Sequence, residues 1–218
     1  MKCIEVIALK KMDIIYEDKY LIIVNKPSGI FSISTLKEKE KTMYHEVYEY
    51  LRKKNQRVFI VHRLDKDTSG LMLFAKNVDV KNYFQDNWDK VTRKYVAVVE
   101  GVVKEDSKTI KNYLKENKNF VTYSDPNGKL AITKYKKIRS NKMYSLLEIE
   151  ILTGRKNQIR FSMMDIGHSI VGDKKYGSLT NPIHRLCLVA TSLTFIHPVY
   201  KKEMTFNINI PKEFLSLV

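Results

Sequence analysis

His62-Arg63-Leu64-Asp65-Lys66-Asp67-Thr68-Ser69-Gly70 is the stretch from which the rest of the chain can be read. It joins two apolar runs, Phe59 to Val61 and Leu71 to Ala75, whose β-branched and aromatic content reads as strands. Within it two cations flank one carboxylate, Asp65, and the turn-forming Asp-Thr-Ser-Gly fixes the segment just before a buried strand. A carboxylate so placed is ionised and firmly held. For any single aspartate in such a setting, a surface salt-bridge cluster ahead of an Asx turn is the commoner explanation. The remainder of the sequence decides between the two.

Helices flank this strand pair. Thr42 is suited to cap a helix with Met43, Val47, Tyr48 and Leu51 on one face, and Asn77 to cap another with Val80, Tyr83, Phe84 and Trp88. Further upstream, Ile14 to Tyr16 and Leu21 to Asn25 form a hairpin across Glu17-Asp18-Lys19, closed by Lys26-Pro27-Ser28-Gly29. Downstream, Lys94 to Glu100, Ala131 to Ile138, Tyr144 to Ile151, Leu186 to Ala190, Leu193 to Ile196 and Met204 to Ile210 read as strands. Many strands with few helices predict an α+β fold, with a mixed, mainly antiparallel central sheet flanked by helices and loops. The polar stretch Lys104 to Lys129, with Asp125-Pro126-Asn127-Gly128 as turn chemistry, is expected to be a long, mobile hairpin or loop.

The bulk numbers narrow the partners. A chain of 218 residues with 44% hydrophobic side chains supports one domain, taken as 1–218. Its net charge of +15 favours a polyanionic partner, although a lysine- and asparagine-rich genome gives the same excess. Cys3 and Cys187 fit no disulfide framework or zinc spacing, and the five histidines share no metal pattern. No apolar run approaches the roughly 18 residues of a membrane span. The expectation is a cytoplasmic protein without metal or organic cofactor.

The string from His62 to Lys76 resembles the signature of the RluA-type pseudouridine synthases: His-Arg-Leu-Asp, then Thr-Ser-Gly-Leu, then a strand ending Phe-Ala-Lys. The resemblance extends through Ile14-Ile15-Tyr16-Glu17-Asp18, Val24-Asn25-Lys26-Pro27-Ser28-Gly29, Lys94 to Gly101 and Gly128-Lys129-Leu130-Ala131. It continues through Leu152-Thr153-Gly154-Arg155, Gln158-Ile159-Arg160, Ile166-Gly167-His168, Val171-Gly172-Asp173, Tyr176-Gly177 and His197-Pro198, in family order from about 14 to 198. It implies the pseudouridine synthase catalytic fold and an enzyme that isomerises specific uridines in ribosomal or transfer RNA. It also implies a catalytic domain that begins without the N-terminal S4-type RNA-binding domain of many relatives. A monomer with no obligate protein partner is the expectation.

By position, the resemblance puts the catalytic carboxylate on Asp65 and the arginine that enters the RNA beside the flipped nucleotide on Arg63. Breaking the N-glycosidic bond and rejoining the base through C5 suits a group that is anionic at neutral pH without a helper base. Such a group can add to the sugar, add to the base, or take a sugar proton to give a glycal. The active-site tyrosine falls on Tyr95, whose ring would stack on the extruded uracil, and Leu188 would supply an apolar wall beside it. Arg160 matches the arginine expected to pair with the carboxylate and hold it ionised. The chain departs from the pattern just before it, with Lys156-Asn157 where many relatives have Thr-His.

Two other classes compete. A metal-dependent phosphoryl-transfer enzyme or nuclease would use Asp65 and Asp67 as a carboxylate pair, against the two adjacent cations. A non-catalytic RNA-binding module has only the charge in its favour. On the leading reading Asp67 is expected to fix the turn and Ser69 through hydrogen bonds.

Overall fold

The computed structural model of the protein describes residues 12–34 and 38–218, so Cys3 lies outside the described residues. The chain opens with the expected hairpin, β1 (Ile14–Glu17) paired antiparallel to β2 (Leu21–Lys26). Asp18 turns it by accepting from the amides of Tyr20 and Leu21 at 2.7 and 2.8 Å. Thr42 caps α1 (Met43–Arg52), its hydroxyl accepting from the His45 amide at 3.1 Å. After β3 (Phe59–Ile60) and β4 (Ser69–Ala75), Asn77 caps α2 (Val78–Asp86) through the Val80 amide at 2.9 Å. Trp88 is not on that helix. The Asn87 side chain bonds the Tyr83 carbonyl at 2.9 Å, α2 stops at Asp86, and Trp88 begins a separate 3-10 turn.

The remaining strands are β5 (Thr92–Glu100), β6 (Ser107–Glu116), β7 (Thr122–Ser124), β8 (Lys129–Ser140), β9 (Tyr144–Ile151), β10 (Leu188–Ile196) and β11 (Glu203–Asn207). Helix α3 (Gln158–Asp165) follows β9, and the short α4 (Lys212–Leu215) ends the fold. They form one sheet in the order β1-β2-β4-β10-β5-β9-β8-β6-β7, with β11 on β10 and β3 on β4. Among the described strands only β4 and β10 pair in parallel, so the architecture is the mainly antiparallel α+β sheet expected.

Period-2 alternation sends the two faces of the sheet's first half into separate cores. Ile22, Val24, Met72 and Phe74 pack with Met43, Val47 and Leu51 of α1. Leu21, Ile23, Leu71 and Leu73 pack with Val80 and Phe84 of α2. Burial of each such side chain contributes about 1.5–3 kcal/mol. Every residue of β4 is therefore buried, and the loop ahead of it is mounted on the most firmly packed strand. Gly70 sits where β4 begins to run beside β10, with φ +114°, and a Cβ there would lie 2.2 Å from the Ala190 carbonyl oxygen. Only glycine permits that approach.

Three further expectations need correction. Of the hairpin or loop expected over Lys104 to Lys129, the structure has the hairpin and not the loop: β6 pairs with β8 from Ser107–Lys136 to Leu114–Lys129. Its inward positions Ile110, Asn112 and Leu114 are buried, and the lysine-rich outward face hides that alternation in the sequence. The two strands read at Leu186 to Ala190 and Leu193 to Ile196 are one, β10, with a register shift between Ala190 and Ser192 that resets the alternation. Strand β11 ends at Asn207, short of Ile210.

Candidate active site

The loop from His62 to Thr68 is clamped by the turn that follows β2. Lys26, entirely buried, donates to the carbonyls of Pro27, Ile30 and Lys66 at 3.0, 2.8 and 2.9 Å. Burial pushes this ammonium down to about 8. The Gly29 amide donates to Lys66, the Ser28 hydroxyl to the Asp67 carbonyl, and the Ser32 hydroxyl to the Leu64 carbonyl while accepting from the Leu64 amide. These bonds explain why the Lys-Pro-Ser-Gly turn accompanies the His-Arg-Leu-Asp loop: its backbone has no strand partner and needs another. Asp67 is exposed, and Ser69 accepts from Arg185 at 2.6 Å rather than bonding Asp67 as expected. The long Arg185 side chain, reaching across from the segment before β10, takes the place assigned to the aspartate.

Across the cleft, α3 presents Arg160, and its main partner is one the sequence reading did not single out. Asp173 accepts two parallel bonds from Arg160, Nε to Oδ2 and Nη2 to Oδ1, both 2.7 Å, and its side chain is 1% exposed. Arg160 also donates through Nη1 to Asn157 Oδ1 at 3.0 Å and lies 5.0 Å from the Tyr176 ring centroid. With those contacts made, Nη1 stands 3.6 Å from Asp65 Oδ2, an ion pair longer than a hydrogen bond. Arg160 is thus held by Asp173 and offered to Asp65. The expectation that Arg160 keeps the carboxyl low is met only in part: burial raises the Asp65 carboxyl above its ordinary value, against the pull of Arg160.

The Lys156-Asn157 departure acquires a structural meaning here. Asn157 has φ +52°, a left-handed conformation that Asn and His tolerate better than most side chains, so either can precede α3. Gln158 ties this corner to the sheet. Its Oε1 accepts from the Thr153 hydroxyl at 2.8 Å and the Arg155 amide at 3.0 Å, while Nε2 donates to the Ile132 carbonyl at 3.0 Å and Thr133 Oγ at 3.1 Å. All its hydrogen-bonding capacity is used, which fits a residue that fixes the Thr-Gly-Arg turn.

Asp65, its side chain 29% exposed, opens into a cleft of about 610 Å³ that brings together Arg63, Tyr95, Arg160 and Leu188, all four of the other residues named from the sequence. Arg63 is exposed, whereas Tyr95 and Leu188 are buried in strands β5 and β10. Burial pushes the Tyr95 phenol up to about 12, so near neutral pH it is a hydrogen-bond donor. The opposite wall is Trp88, stacked on His62 at 4.6 Å between ring centroids, with the buried Arg93 guanidinium 5.6 Å from the indole. His62 accepts from the Leu73 amide through Nε2 and is pushed down to about 3, first by burial and then by Arg93, so it is a neutral structural group. Arg93 was not singled out from the sequence. Its spacing of two from Tyr95 along β5, which puts both on one face, was the available signal.

Chemically, the site offers one carboxylate with a guanidinium beside it, a phenol donor and apolar walls. Among the described residues no group of three His, Cys, Asp or Glu side chains comes together as metal ligands would. Cys187 is buried, and its thiol is pushed up to about 12 by burial.

Residues 20–165 match a family model described as RNA pseudouridylate synthase. The chain is 32% identical to ribosomal large subunit pseudouridine synthase D of Zymomonas mobilis, over 94% of this chain and 71% of the relative. It is 30% identical to tRNA pseudouridine synthase C of Haemophilus influenzae, over 95% of this chain and 96% of the relative. Among solved structures, human RNA pseudouridylate synthase domain containing 4 superimposes with a TM-score of 0.76 at 22% identity, covering 93% of this chain and 90% of that one.

Proposed function

The chain belongs to the RNA pseudouridylate synthase family and is an RNA pseudouridine synthase, and from that premise we propose that Asp65 is the carboxylate that carries the isomerisation of a uridine flipped into its cleft. The observation that carries this assignment is the placement of Asp65 in a cleft large enough for a nucleoside, with a guanidinium already secured to a second carboxylate beside it. In the reaction the N1–C1′ bond breaks, the uracil turns, a C5–C1′ bond forms, the C5 proton leaves and N1 takes up a proton, so that the product is an isomer of the substrate. The base must stay bound while detached, which is a task for walls and stacking.

Arg63, at the exposed lip, would occupy the space the uridine leaves in the RNA. Tyr95 would stack on the uracil, worth about 1–3 kcal/mol per base, against Leu188 on the neighbouring strand. Arg160, pinned by Asp173, would stabilise and orient the Asp65 anion. The substrate is ribosomal or transfer RNA, held by the +15 charge of a single domain acting as a cytoplasmic monomer. No helix among the described residues is long and apolar enough to cross a membrane.

Purified protein incubated with unmodified transcripts of the organism's ribosomal and transfer RNAs should convert a defined uridine to pseudouridine, at a rate unaffected by excess chelator. Turnover stopped by chelator and restored by Mg²⁺ would favour the competing metal reading instead. Tyr95→Phe keeps the ring and removes the donor. It is expected to lower kcat by roughly 10²–10⁴-fold, the range of a proton-transfer contribution, while leaving KM within a few-fold. Full activity in this variant would reduce the tyrosine to a stacking surface.

A further inference from the structure

The geometry points to Phe120 as a stacking platform for an unpaired base of the RNA substrate, at the rim of the catalytic cleft. This inference rests on the RNA-modifying reading above and adds a contact outside the pocket that takes the target uridine. Phe120 is the most exposed aromatic side chain among the described residues, at 65%. A single apolar side chain on a surface needs no explanation, but this one is built into place.

The tip between β6 and β7 is a closed turn. The Asn117 amide donates to the Val121 carbonyl and the Phe120 amide to the Asn117 carbonyl, both at 3.0 Å. Asn117 Oδ1 accepts from the amides of Asn119 and Val121 at 2.9 and 3.0 Å. Phe120 itself has φ +59°, a left-handed backbone that costs a bulky residue free energy, and Lys175 Nζ donates to its carbonyl at 2.6 Å. That strain holds an apolar ring out in water, where it contributes nothing to the core.

The tip is also fastened to the cleft wall. The Thr122 hydroxyl donates to the Lys156 carbonyl at 3.0 Å, and the Thr122 amide donates to the Tyr176 hydroxyl at 3.0 Å. Lys156 Nζ lies 4.7 Å from the Phe120 ring centroid and pairs with Glu116. Lys156 and Asn157 line the cleft, and Asn157 is the residue that accepts from Arg160. The ring is therefore one side chain removed from the catalytic wall, among the exposed Lys118, Lys156 and Lys175. An exposed aromatic ring with the Lys156 ammonium 4.7 Å from its centroid and the Lys175 ammonium on its carbonyl matches a nucleotide, whose base stacks and whose flanking phosphates are anionic. RNA leaving the cleft beside Lys156 meets that face.

The test compares the wild-type chain with Phe120→Ala, Phe120→Asn and Phe120→Trp, using unmodified transcripts of the organism's ribosomal and transfer RNAs as probes. Asn suits the left-handed backbone, so a loss shared by Ala and Asn, with an unchanged thermal midpoint, comes from the ring rather than from misfolding. Both are expected to raise Kd and KM by about 5- to 150-fold, the fold-change of one lost stack, with kcat at saturating RNA within twofold of wild type. The Trp variant should bind at least as tightly as wild type, and the salt slope should be unchanged because no phosphate contact is removed. RNA affinity within twofold of wild type in the Ala and Asn variants would overturn the inference, as would loss of a protein partner with RNA affinity intact. Should the wild-type chain form no pseudouridine in any transcript, the enzymatic reading fails by itself, while the affinity series still decides whether Phe120 stacks on RNA.

Discussion

Asp65→Asn is expected to lower pseudouridine formation by roughly four orders of magnitude or more while the protein folds and binds RNA as before. Asparagine is nearly isosteric with aspartate, and the loop around it is held by contacts of Lys26 and Ser32 to its backbone that do not use the Asp65 side chain. What disappears is the anion, and stacking and positioning cannot replace a nucleophile or base. The variant should also be at least as stable as wild type at neutral pH. Burial raises the Asp65 carboxyl, so the folded state favours its protonated form relative to the unfolded chain. The corresponding stability is present below the unfolded value of about 3.9 and is lost as pH rises through the higher folded value. Activity runs the other way, since the working form is the anion, and the acid limb of the wild-type pH profile should lie above the ordinary aspartate range. A thermal midpoint series over pH, read beside a rate profile, checks both signs. An acid limb at or below the ordinary range would mean that Arg160 outweighs burial at this carboxyl.

Asp173→Ala is expected to be the most damaging single change to stability in this region. It leaves the Arg160 guanidinium, whose side chain is 10% exposed, without the carboxylate that takes two of its hydrogen bonds. Breaking a buried pair from one side costs about 3–5 kcal/mol, because the remaining charge is still desolvated. Asp65 is the other carboxylate within reach, at 3.6 Å, so the freed arginine is expected to close on it. Loss of the Asp173 charge also removes an influence that raises the Asp65 carboxyl. The acid limb of the activity profile should therefore move to lower pH while kcat falls, a combination that simple unfolding does not produce. The double variant Arg160→Met with Asp173→Ala should recover much of the lost stability and none of the activity. Chemical denaturation of the two single variants and the double variant measures the coupling. Independent, additive effects would remove Asp173 from its positioning role.

Local chemistry with short range was legible in the sequence. The caps at Thr42 and Asn77 and the hairpin turned by Asp18 all depend on neighbours within a few residues. Arg63, Asp65, Tyr95 and Arg160 could be named because they sit in strings that resemble a family, Leu188 only by its position between such strings, and the cleft brings all five together. What escaped depends on distant contacts. Asp173 belongs to a matching string, yet nothing in its spacing says that it faces Arg160 across a turn. The strand character of β6 is hidden because its exposed residues are mostly polar or charged, and its inward positions become apparent only against α3. Thr191 breaks the alternation of β10 through a register shift, which made one strand read as two. Trp88 has the right spacing for α2, but the Asn87 side chain ends that helix first.

The most direct test of the account is a transcriptome-wide map of pseudouridine in cells lacking the gene, complemented with either the wild-type chain or Asp65→Asn at equal abundance. The account predicts that at least one site in ribosomal or transfer RNA disappears on deletion, returns with the wild-type chain and stays absent with Asp65→Asn. An unchanged map on deletion, or restoration of the site by Asp65→Asn, would contradict it.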